Sequence, residues 1–460
     1  MPVTTPHPDY IRADPDWTLM DDALEGERAV KARNSNLPKP SGMAEAEKLD
    51  SNNSYLYAAY TERAVYPHWV KDGLRTMVGL VSRLQPEIEL PERMADMELN
   101  ATADGFGLRQ LFLRVVAATL AYGRKVLLTD VDAAGRPYIA LYGARDAINW
   151  KTAGLDVDGR QDLVLAVLKE SRPKDVADEF SHEAETVYRV LDMVGGGYRV
   201  RVMRDNGSLV EEEARPGMYG ADGKPAKHLS YLPIIFCGSI DNAPSIDEIP
   251  LLTMAKAAQK YYQLSADYHY ALHQTAHPQP WISGLSGEKT LRVAGPAAAW
   301  VFDNPEASCG YLEISGTGIE AQRTAMEEQR NAALEAGARV IDTRGAESGD
   351  ARRARQDDQH ASLHSVVMTA AEAIEQALRF AAEWIGADPE KVKFTVKPDF
   401  GSRTVDPAVS AQLLQAAMAG KISNESYWLY LSTGKLPEHD YQVEAVRIEM
   451  PGARVSDGDD

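Results

Sequence analysis

Residues 249–275 read IPLLTMAKAAQKYYQLSADYHYALHQT and predict a single long helix. Many of its less polar side chains recur three and four positions apart, which places them on one side of a helix. This stripe consists of Leu251, Ala255, Ala258, Tyr262, Ser265, His269 and Leu272. His277 precedes Pro278 and should end the helix, because proline disfavours helical backbone in the residue before it. About 25 residues of helix span roughly 35 Å, the width of a small domain.

The residues that follow repeat the helical pattern twice more. Residues 278–314 predict three or four short strands separated by Gly and Pro turns, and 318–340 predict a second long helix. A polar run, DTRGAESGD at 342–350, then precedes a third helix from 351 to about 385. The first two helices are rich in Ala and Gln rather than Leu; alanine allows close helix approach but buries little apolar surface. They fit either an ordinary helical hairpin or a stem whose helices pack against copies of themselves.

On either side of this region the pattern changes. Expected elements are an extended segment at 1–15, a helix at 17–32, a loop at 34–54, one or two helices at 55–84, and a helix at 107–120 ended by Gly123. Residues 123–240 predict a β-rich block with turns at 132–135 and at Asn206-Gly207. A strand at 393–400 and two short helices within 407–433 follow the third long helix.

Length and composition fit a globular protein of 460 residues with one large core or two to three smaller ones. The sequence has no run of about 18 apolar residues and no basic-then-apolar leader, so neither a membrane span nor secretion is expected. The net charge of −19 disfavours a protein that binds nucleic acid over a broad basic surface. It does not exclude a protein that lets nucleic acid pass without holding it. Cys237 and Cys309 are too few for a disulfide framework, and we expect both to be buried.

Motifs for catalysis and metal binding are incomplete. The GK pair at 420–421 lacks the rest of a phosphate-binding loop, and DVDAAG at 130–135 lacks the closing carboxylate of a calcium loop. His269, His273 and His277 recur every four residues, so a metal-dependent hydrolase using His269 and His273 is one alternative. No HExxH motif or cysteine ligand accompanies them. We therefore expect no enzyme activity, no cofactor and no metal site.

An aromatic cluster lies in the N-terminal part of the chain. It consists of Tyr55, Tyr57, Tyr60, Tyr66 and Trp69, with Arg63 among them. Such side chains could stack on nucleic-acid bases. Because basic residues do not flank them densely, packing in a core or against another subunit is the better interpretation.

The order of these segments resembles one protein family. LPIIF at 232–236, the helix at 249–275, the β segment, the second helix, the polar loop and the third helix together resemble the portal (head–tail connector) protein of tailed bacteriophages. Similar stretches extend over nearly the whole chain, among them WTLMDDALEGERAVKA (17–32), AAYTERAVYPHWVKDGLRTMVGLV (58–81), GRPYIALYGARDAINW (135–150), PQPWISG (278–284), GYLEISGTGIEA (310–321) and LEAGARVI (334–341). The resemblance rests on their order and spacing, since no catalytic signature anchors it.

The resemblance implies an α+β portal fold with wing, long-helix stem, small β clip and helical crown, assembled as a ring of about twelve copies. It assigns the wing to 1–248, the stem helices to 249–277 and 318–340, the clip to 278–317, the tunnel loop to 341–350, a long helix and return strand to 351–404, a reduced crown to 405–450 and a disordered tail to 451–460.

By the same resemblance, the tunnel loop would project into a central channel. Its residues are Asp342, Thr343, Arg344, Gly345, Ala346, Glu347, Ser348, Gly349 and Asp350. Gly345 and Gly349 would give the backbone freedom, and the mixed charges would avoid tight DNA binding, since each neutralised phosphate adds to affinity. The clip side chains would include Pro280, Trp281, Trp300 and Tyr311. The side chains of Arg352, Arg353 and Arg355 could contact phosphate or pair with Asp357 and Asp358, and we favour pairing between subunits.

The function implied by the resemblance is a non-enzymatic channel at one capsid vertex through which DNA is packaged and ejected. The implied partners are further copies of the chain, double-stranded DNA, the terminase large subunit, the major capsid protein, scaffold, and a head-completion or adaptor protein. The implied location is the virion, after assembly in the host cytoplasm. The alternative is a structural or scaffold-binding phage or prophage protein without a channel, and ring formation separates the two.

Overall fold

A computed structural model of the chain divides into two units, Met1–Pro398 and Asp399–Asp460. It describes residues 2–132, 134–153, 162–174, 180, 182–214, 217–219, 225–276, 279–284, 305–312, 317–337, 349–398, 400, 407–433, 437 and 441–449. The predicted disordered tail at 451–460 lies outside the described residues.

The first unit mixes helices with antiparallel sheets. Its helices are α1 (Pro8–Glu25), α2 (Glu27–Ala32), α3 (Ser41–Leu49), α4 (Ser54–Arg63), α5 (Trp69–Val81), α6 (Leu108–Tyr122), α7 (Leu252–Thr275), α8 (Thr317–Glu335) and α9 (Gly349–Trp384). Its strands are β1 (Glu87–Glu89), β2 (Arg124–Val131), β3 (Pro137–Tyr142), β4 (Ala147–Thr152), β5 (Leu163–Pro173), β6 (Ala184–Val194), β7 (Gly197–Met203), β8 (Leu209–Ala214), β9 (Gly217–Tyr219), β10 (Pro225–His228), β11 (Ile234–Gly238), β12 (Gln279–Ser283), β13 (Ser308–Leu312) and β14 (Lys393–Thr395). Within the described residues, no helix is both long and apolar enough to span a bilayer.

Two sheets form most of the β-rich block. One has the strand order β4-β5-β6-β7-β8 and the other the order β11-β2-β3. The predicted Asn206-Gly207 turn joins β7 to β8, and Gly207 has a φ of 83°, a left-handed conformation that glycine adopts at little cost. The turn between β2 and β3 is closed by Asp132, whose carboxylate accepts hydrogen bonds from the backbone of Ala134 and Arg136. Both predicted hairpins are therefore confirmed.

One hydrophobic core lies between these sheets and α9. Its large side chains are Trp150, Leu168, Leu191, Tyr198, Phe236 and Trp384, which all belong to one cluster. Two buried hydroxyls attach α9 to the smaller sheet: Thr129 Oγ1 donates to Ala377 O at 3.0 Å, and Thr369 Oγ1 donates to Gly238 O at 3.0 Å. Buried polar groups are usually satisfied in this way, and here the bonds fix the position of α9 on the sheet.

The N-terminal segment is more helical than the sequence predicts. Residues 1–15 are expected to be extended, but α1 begins at Pro8 and continues through Pro15. Pro8 lies in the first turn, where its missing N–H is not needed, and His7 Nδ1 accepts from Asp9 N at 3.1 Å. Trp17 is fully buried and donates to Tyr122 O at 2.9 Å. This packing offsets the hydrogen bond that Pro15 cannot make.

Two further boundaries differ from the prediction. The helix expected at 17–32 is broken at Gly26, whose φ of 110° ends α1 before α2 begins. The loop expected at 34–54 contains α3, which buries Met43. Elsewhere α6 ends at Gly123 with a φ of 69°, as predicted.

The second unit contains α10 (Pro407–Met418), α11 (Asn424–Thr433) and α12 (Tyr441–Glu449). The first two match the short helices predicted within 407–433, and α12 is additional. Glu444 of α12 accepts hydrogen bonds from Ser423 N at 2.6 Å and from Ser426 Oγ at 2.7 Å. The carboxylate therefore ties α12 to the start of α11.

Candidate functional site

Two antiparallel helices, α7 and α8, are joined through β12 and β13. We call these four elements the arm. At one end, just beyond α7, Gln279 of β12 pairs with Leu312 of β13, close to the start of α8. At the other end, a Cβ added to Gly337 would lie 3.2 Å from Met77 Cε and 4.0 Å from Met254 Cε. The chain after α8 therefore returns to the start of α7.

Polar contacts attach the middle of α7 to the N-terminal helices. Ser265 is fully buried, and its hydroxyl accepts from Val65 N at 2.9 Å. Tyr60 Oη donates to Asp267 Oδ1 at 2.6 Å. Burial, reinforced by the hydrogen bond to Asp267, raises the pKa of Tyr60, so this phenol stays protonated at neutral pH.

Aromatic side chains continue this attachment. Ring centroids lie 5.1 Å apart for Trp69 and Tyr261, 5.7 Å for Tyr60 and Tyr270, and 6.1 Å for Tyr66 and Tyr262. All three pairs have the edge-to-face geometry that aromatic rings favour. The packing interpretation of the aromatic cluster is confirmed for Tyr60, Tyr66 and Trp69.

α8 makes a much narrower contact. Of the side chains described on this helix, only Met326 and Ala333 are buried. Ile319, Gln322 and Gln329 are half-buried and continue the same stripe at helical spacing. Ala325, Ala332 and Leu334 are half-buried as well, and the exposed side chains, which are mostly polar, lie on the other side of the helix. α8 is therefore packed on one side and exposed on the other.

Exposed ion pairs occupy one side of α8. Arg323 lies 2.5 Å from Glu320 and 2.8 Å from Glu327, which are its neighbours one turn before and after. Pairs of this kind on an exposed helix add little to stability. They keep this side of the helix well solvated.

The β12–β13 pair presents a tryptophan at the end of the arm. Trp281 is 45% exposed and aligns with Gly310. A Cβ on Gly310 would lie 3.1 Å from Trp281 Nε1, so glycine leaves room for the indole on this face. An exposed indole with a flat support suits contact with another protein.

The two cysteines differ from each other. Cys237 is fully buried as predicted, and burial raises the pKa of its thiol to about 12. The same prediction is wrong for Cys309, which is exposed. Cys309 lies on the two-stranded sheet of the arm, a sheet too small to bury both of its faces.

The other predicted site residues are described only in part. Pro280 and Tyr311 face each other in the β12–β13 register, but their side chains, together with Trp300 and the loop residues 338–348, lie outside the described residues. The backbone of Gly349 and Asp350, expected in the loop, forms the start of α9. Arg352, Arg353 and Arg355 lie on α9, and their side chains also lie outside the described residues.

The histidines of α7 have other neighbours. His273 Nε2 lies 3.2 Å from Arg63 Nη2, and the His269 ring packs edge-on against Tyr268 at 5.2 Å. His277 lies outside the described residues. In the described part of the chain, no three His, Cys, Asp or Glu side chains come together as metal ligands would. The structure therefore brings no third ligand to His269 and His273 there.

Sequence reasoning missed the residues that hold the arm together. The bond between Val65 and Ser265 joins positions far apart in the chain, and Gly310 is recognisable only once the strand register is known. Gly337 allows a close approach of Met77 by lacking a side chain. The one available signal was the polar Ser265 within an otherwise mostly apolar stripe, since a buried hydroxyl requires a partner.

Comparison with known proteins adds three findings. A family model described as a domain of unknown function (DUF4055) matches residues 250–385, which begin just before α7 and end just after α9. No curated protein matches the chain at a significant level. Several solved structures show a distant likeness.

One of these, the neck of a native gene transfer agent (GTA) particle computed with C12 symmetry, is 15% identical with a TM-score of 0.41 and covers 80% of this chain and 90% of that chain. The neck of an empty GTA particle computed with C6 symmetry is 14% identical with a TM-score of 0.40, covering 88% and 97%. The virion of a native GTA particle is 16% identical with a TM-score of 0.40, covering 80% and 90%. A likeness of this degree establishes neither a family nor an activity.

Proposed function

We propose that this chain is the subunit of a phage or prophage portal, a closed ring whose central channel conducts DNA into and out of a capsid. The observation that carries the proposal is the arm. Its α7 is attached to the N-terminal helices, while one side of α8 stays exposed within one copy. Residues 1–248 would form the wing, the helices of the arm the stem, and β12 and β13 part of the clip.

The exposed faces of α8 are better suited to another helix than to water alone. In proteins, most of the stability of a helix comes from packing of its faces rather than from intrinsic propensity. Ala321, which is exposed, lies with the half-buried Ala325 and Ala332 on one side of α8, away from its ion pairs. Small side chains permit close helix approach, so this side would pack against the arm of the next copy.

A ring follows if the same contact repeats. An interface that joins two different surfaces closes into a ring when the rotation between copies allows it. With about twelve copies, the arms would line a channel. The loop residues 341–350, the last two of which begin α9, would lie toward its axis.

The charge of the chain fits DNA passage rather than DNA retention. Each copy carries a net charge of −19, so a ring would be strongly acidic. DNA affinity grows with each phosphate that the protein neutralises, and an acidic channel neutralises few. Terminase and adaptor proteins would bind at the clip, where Trp281 is exposed, and the capsid protein and scaffold would bind at the wing.

The test is native mass spectrometry of the purified chain and two variants. We expect the native chain to assemble into a single species of about twelve copies. The double variant Ala321→Arg/Ala332→Arg should stay monomeric, because two long charged side chains would separate the arms. Its circular dichroism should equal that of the native chain, since Ala321 is exposed and Ala332 is only half-buried within one copy.

A matched control is Ala184→Arg, which adds the same side chain at an exposed strand position outside the arm. It should assemble as the native chain does. A native chain that stays monomeric at high concentration and with scaffold present would overturn the proposal. Assembly into species that are not rings would favour a structural phage protein without a channel.

A further inference from the structure

A groove of about 820 Å³ lies beside α6, outside the arm. Three alanines of α6, Ala117, Ala118 and Ala121, line it together with Leu74 of α5 and Leu141 of β3. Because an alanine side chain ends at Cβ, a side chain from outside can approach the α6 backbone closely. The groove therefore has room and apolar surface for a protruding aliphatic side chain.

An exposed aromatic side chain extends the edge of the groove. Phe106 is 42% exposed. Arg114, which lines the groove, lies over the Phe106 ring at 4.2 Å. Apolar surface that continues from a groove onto its edge is typical of a protein contact site.

The groove is basic within an acidic chain. Its charged lining side chains are Asp104, Arg114 and Lys125, and Arg114 is bonded to Asp104 at 2.6 Å. In the described part of the chain, the ammonium group of Lys125 makes no hydrogen bond or ion pair. Burial lowers the pKa of Lys125 while the charge of Asp146 opposes this, so a carboxylate brought to the groove would stabilise its ammonium.

A complementary surface lies on α3. Leu49, the last residue of α3, is 89% exposed, the largest value among the described large apolar side chains. Glu45 lies four residues earlier, on the same face of the helix, and is also exposed. Among the described residues, the carboxylate of Glu45 has no hydrogen-bond or ion-pair partner. α3 therefore presents an apolar side chain and a carboxylate on one face, with Cβ atoms about 6 Å apart.

We propose that Leu49 and Glu45 of one copy dock into this groove on the next copy, with Leu49 against the alanines and Glu45 beside Lys125. The proposal rests on the proposed ring, because it assigns the surfaces that join neighbouring wings. α3 contributes no residue to the groove, so the contact joins two different surfaces and can repeat from copy to copy.

Disulfide trapping tests the contact. Leu49→Cys and Ala118→Cys are made separately and together in a Cys309→Ser background, which removes the exposed native thiol. A disulfide requires Cα atoms within about 7 Å, so only a close contact is trapped. Under mild oxidation the double variant should give a ladder of cross-linked copies, and a mixture of the two single variants should give dimers.

The control combines Leu49→Cys with Ala184→Cys and should give neither a ladder of cross-linked copies nor dimers. Rings without any ladder would overturn the docking contact and leave the ring intact. A ladder without closed rings would support the contact and overturn the channel. Neither rings nor ladder would overturn both.

A charge exchange tests the predicted ion pair separately. Lys125→Glu and Glu45→Lys should each raise the concentration needed for assembly roughly tenfold. The combined variant should recover most of this loss, because it restores opposite charges across the contact. Equal losses in the single and combined variants would contradict the pairing of these two side chains.

Discussion

α8 and α9 are both rich in alanine, yet their surroundings are opposite. On α9, Ala370, Ala373, Ala377 and Ala381 are fully buried against the sheets and α6. On α8, Ala333 is buried, while Ala321 is exposed. Composition therefore does not decide whether such a helix belongs to the core. The neighbours decide: within one copy, α8 packs against α7 on one side and is exposed on the other.

The largest expected effect is in the core around α9. Trp384 is fully buried, donates to Gly217 O at 3.0 Å and packs edge-on against Tyr198. Trp384→Ala should lower the free energy of unfolding by about 3–5 kcal/mol, because it leaves a large cavity. Urea unfolding followed by circular dichroism measures this.

Trp281→Ala is the matched control on the arm, where the indole is 45% exposed. It should change the free energy of unfolding by less than about 1 kcal/mol. Similar losses in the two variants would contradict the contrast between core and arm.

A smaller effect is expected where α7 joins the N-terminal helices. Ser265→Ala removes the acceptor of Val65 N and should cost about 1–3 kcal/mol, because a buried N–H is left without a partner. The comparison is Thr324→Ala on α8, whose hydroxyl is exposed and bonds only to Glu320 O one turn earlier. That change should be close to neutral in the same urea experiment. A loss for Thr324→Ala as large as that for Ser265→Ala would contradict the exposure of this side of α8 within one copy.

The smallest effect concerns pH. Glu170 accepts from Arg189 Nε at 2.5 Å and from Tyr142 Oη at 2.7 Å. Burial alone would raise the pKa of Glu170, but the hydrogen bond and charge of Arg189 outweigh it and hold this pKa below the ordinary value of 4.5. The stabilisation is therefore complete above pH 4.5 and is lost as the pH falls through the lowered value.

Glu170→Gln should reduce the fall in unfolding free energy that the native chain shows as the pH is lowered below 4.5. On the arm, Arg323→Ala should leave that fall unchanged, because the ion pairs of Arg323 are exposed to solvent. Identical acid slopes for the native chain and Glu170→Gln would contradict the role given to Glu170.

Local signals in the sequence predicted much of the fold. Periodicity located α6, α7, α8 and α9, and turn residues located Gly123 and the Asn206-Gly207 hairpin. These features depend on residues close together in the chain. Pairing over long distances was not predictable: Ile88 aligns with Phe394, and no local pattern links the two. The helix through Pro15 likewise depends on the burial of Trp17.

The candidate site was also predictable only where it depends on residues close together in the chain. The two helices of the arm follow from periodicity, whereas the support of Trp281 by Gly310 depends on strand register. The exposure of Cys309 depends on the small size of that sheet. The groove beside α6 combines residues from α1, α5, α6 and β3, so no single segment of sequence reveals it.

The most direct test of the account is negative-stain electron microscopy of the purified native chain at high concentration, with scaffold present. The account predicts rings of about twelve copies with a stained central hole. A field of uniform single copies under these conditions would contradict it.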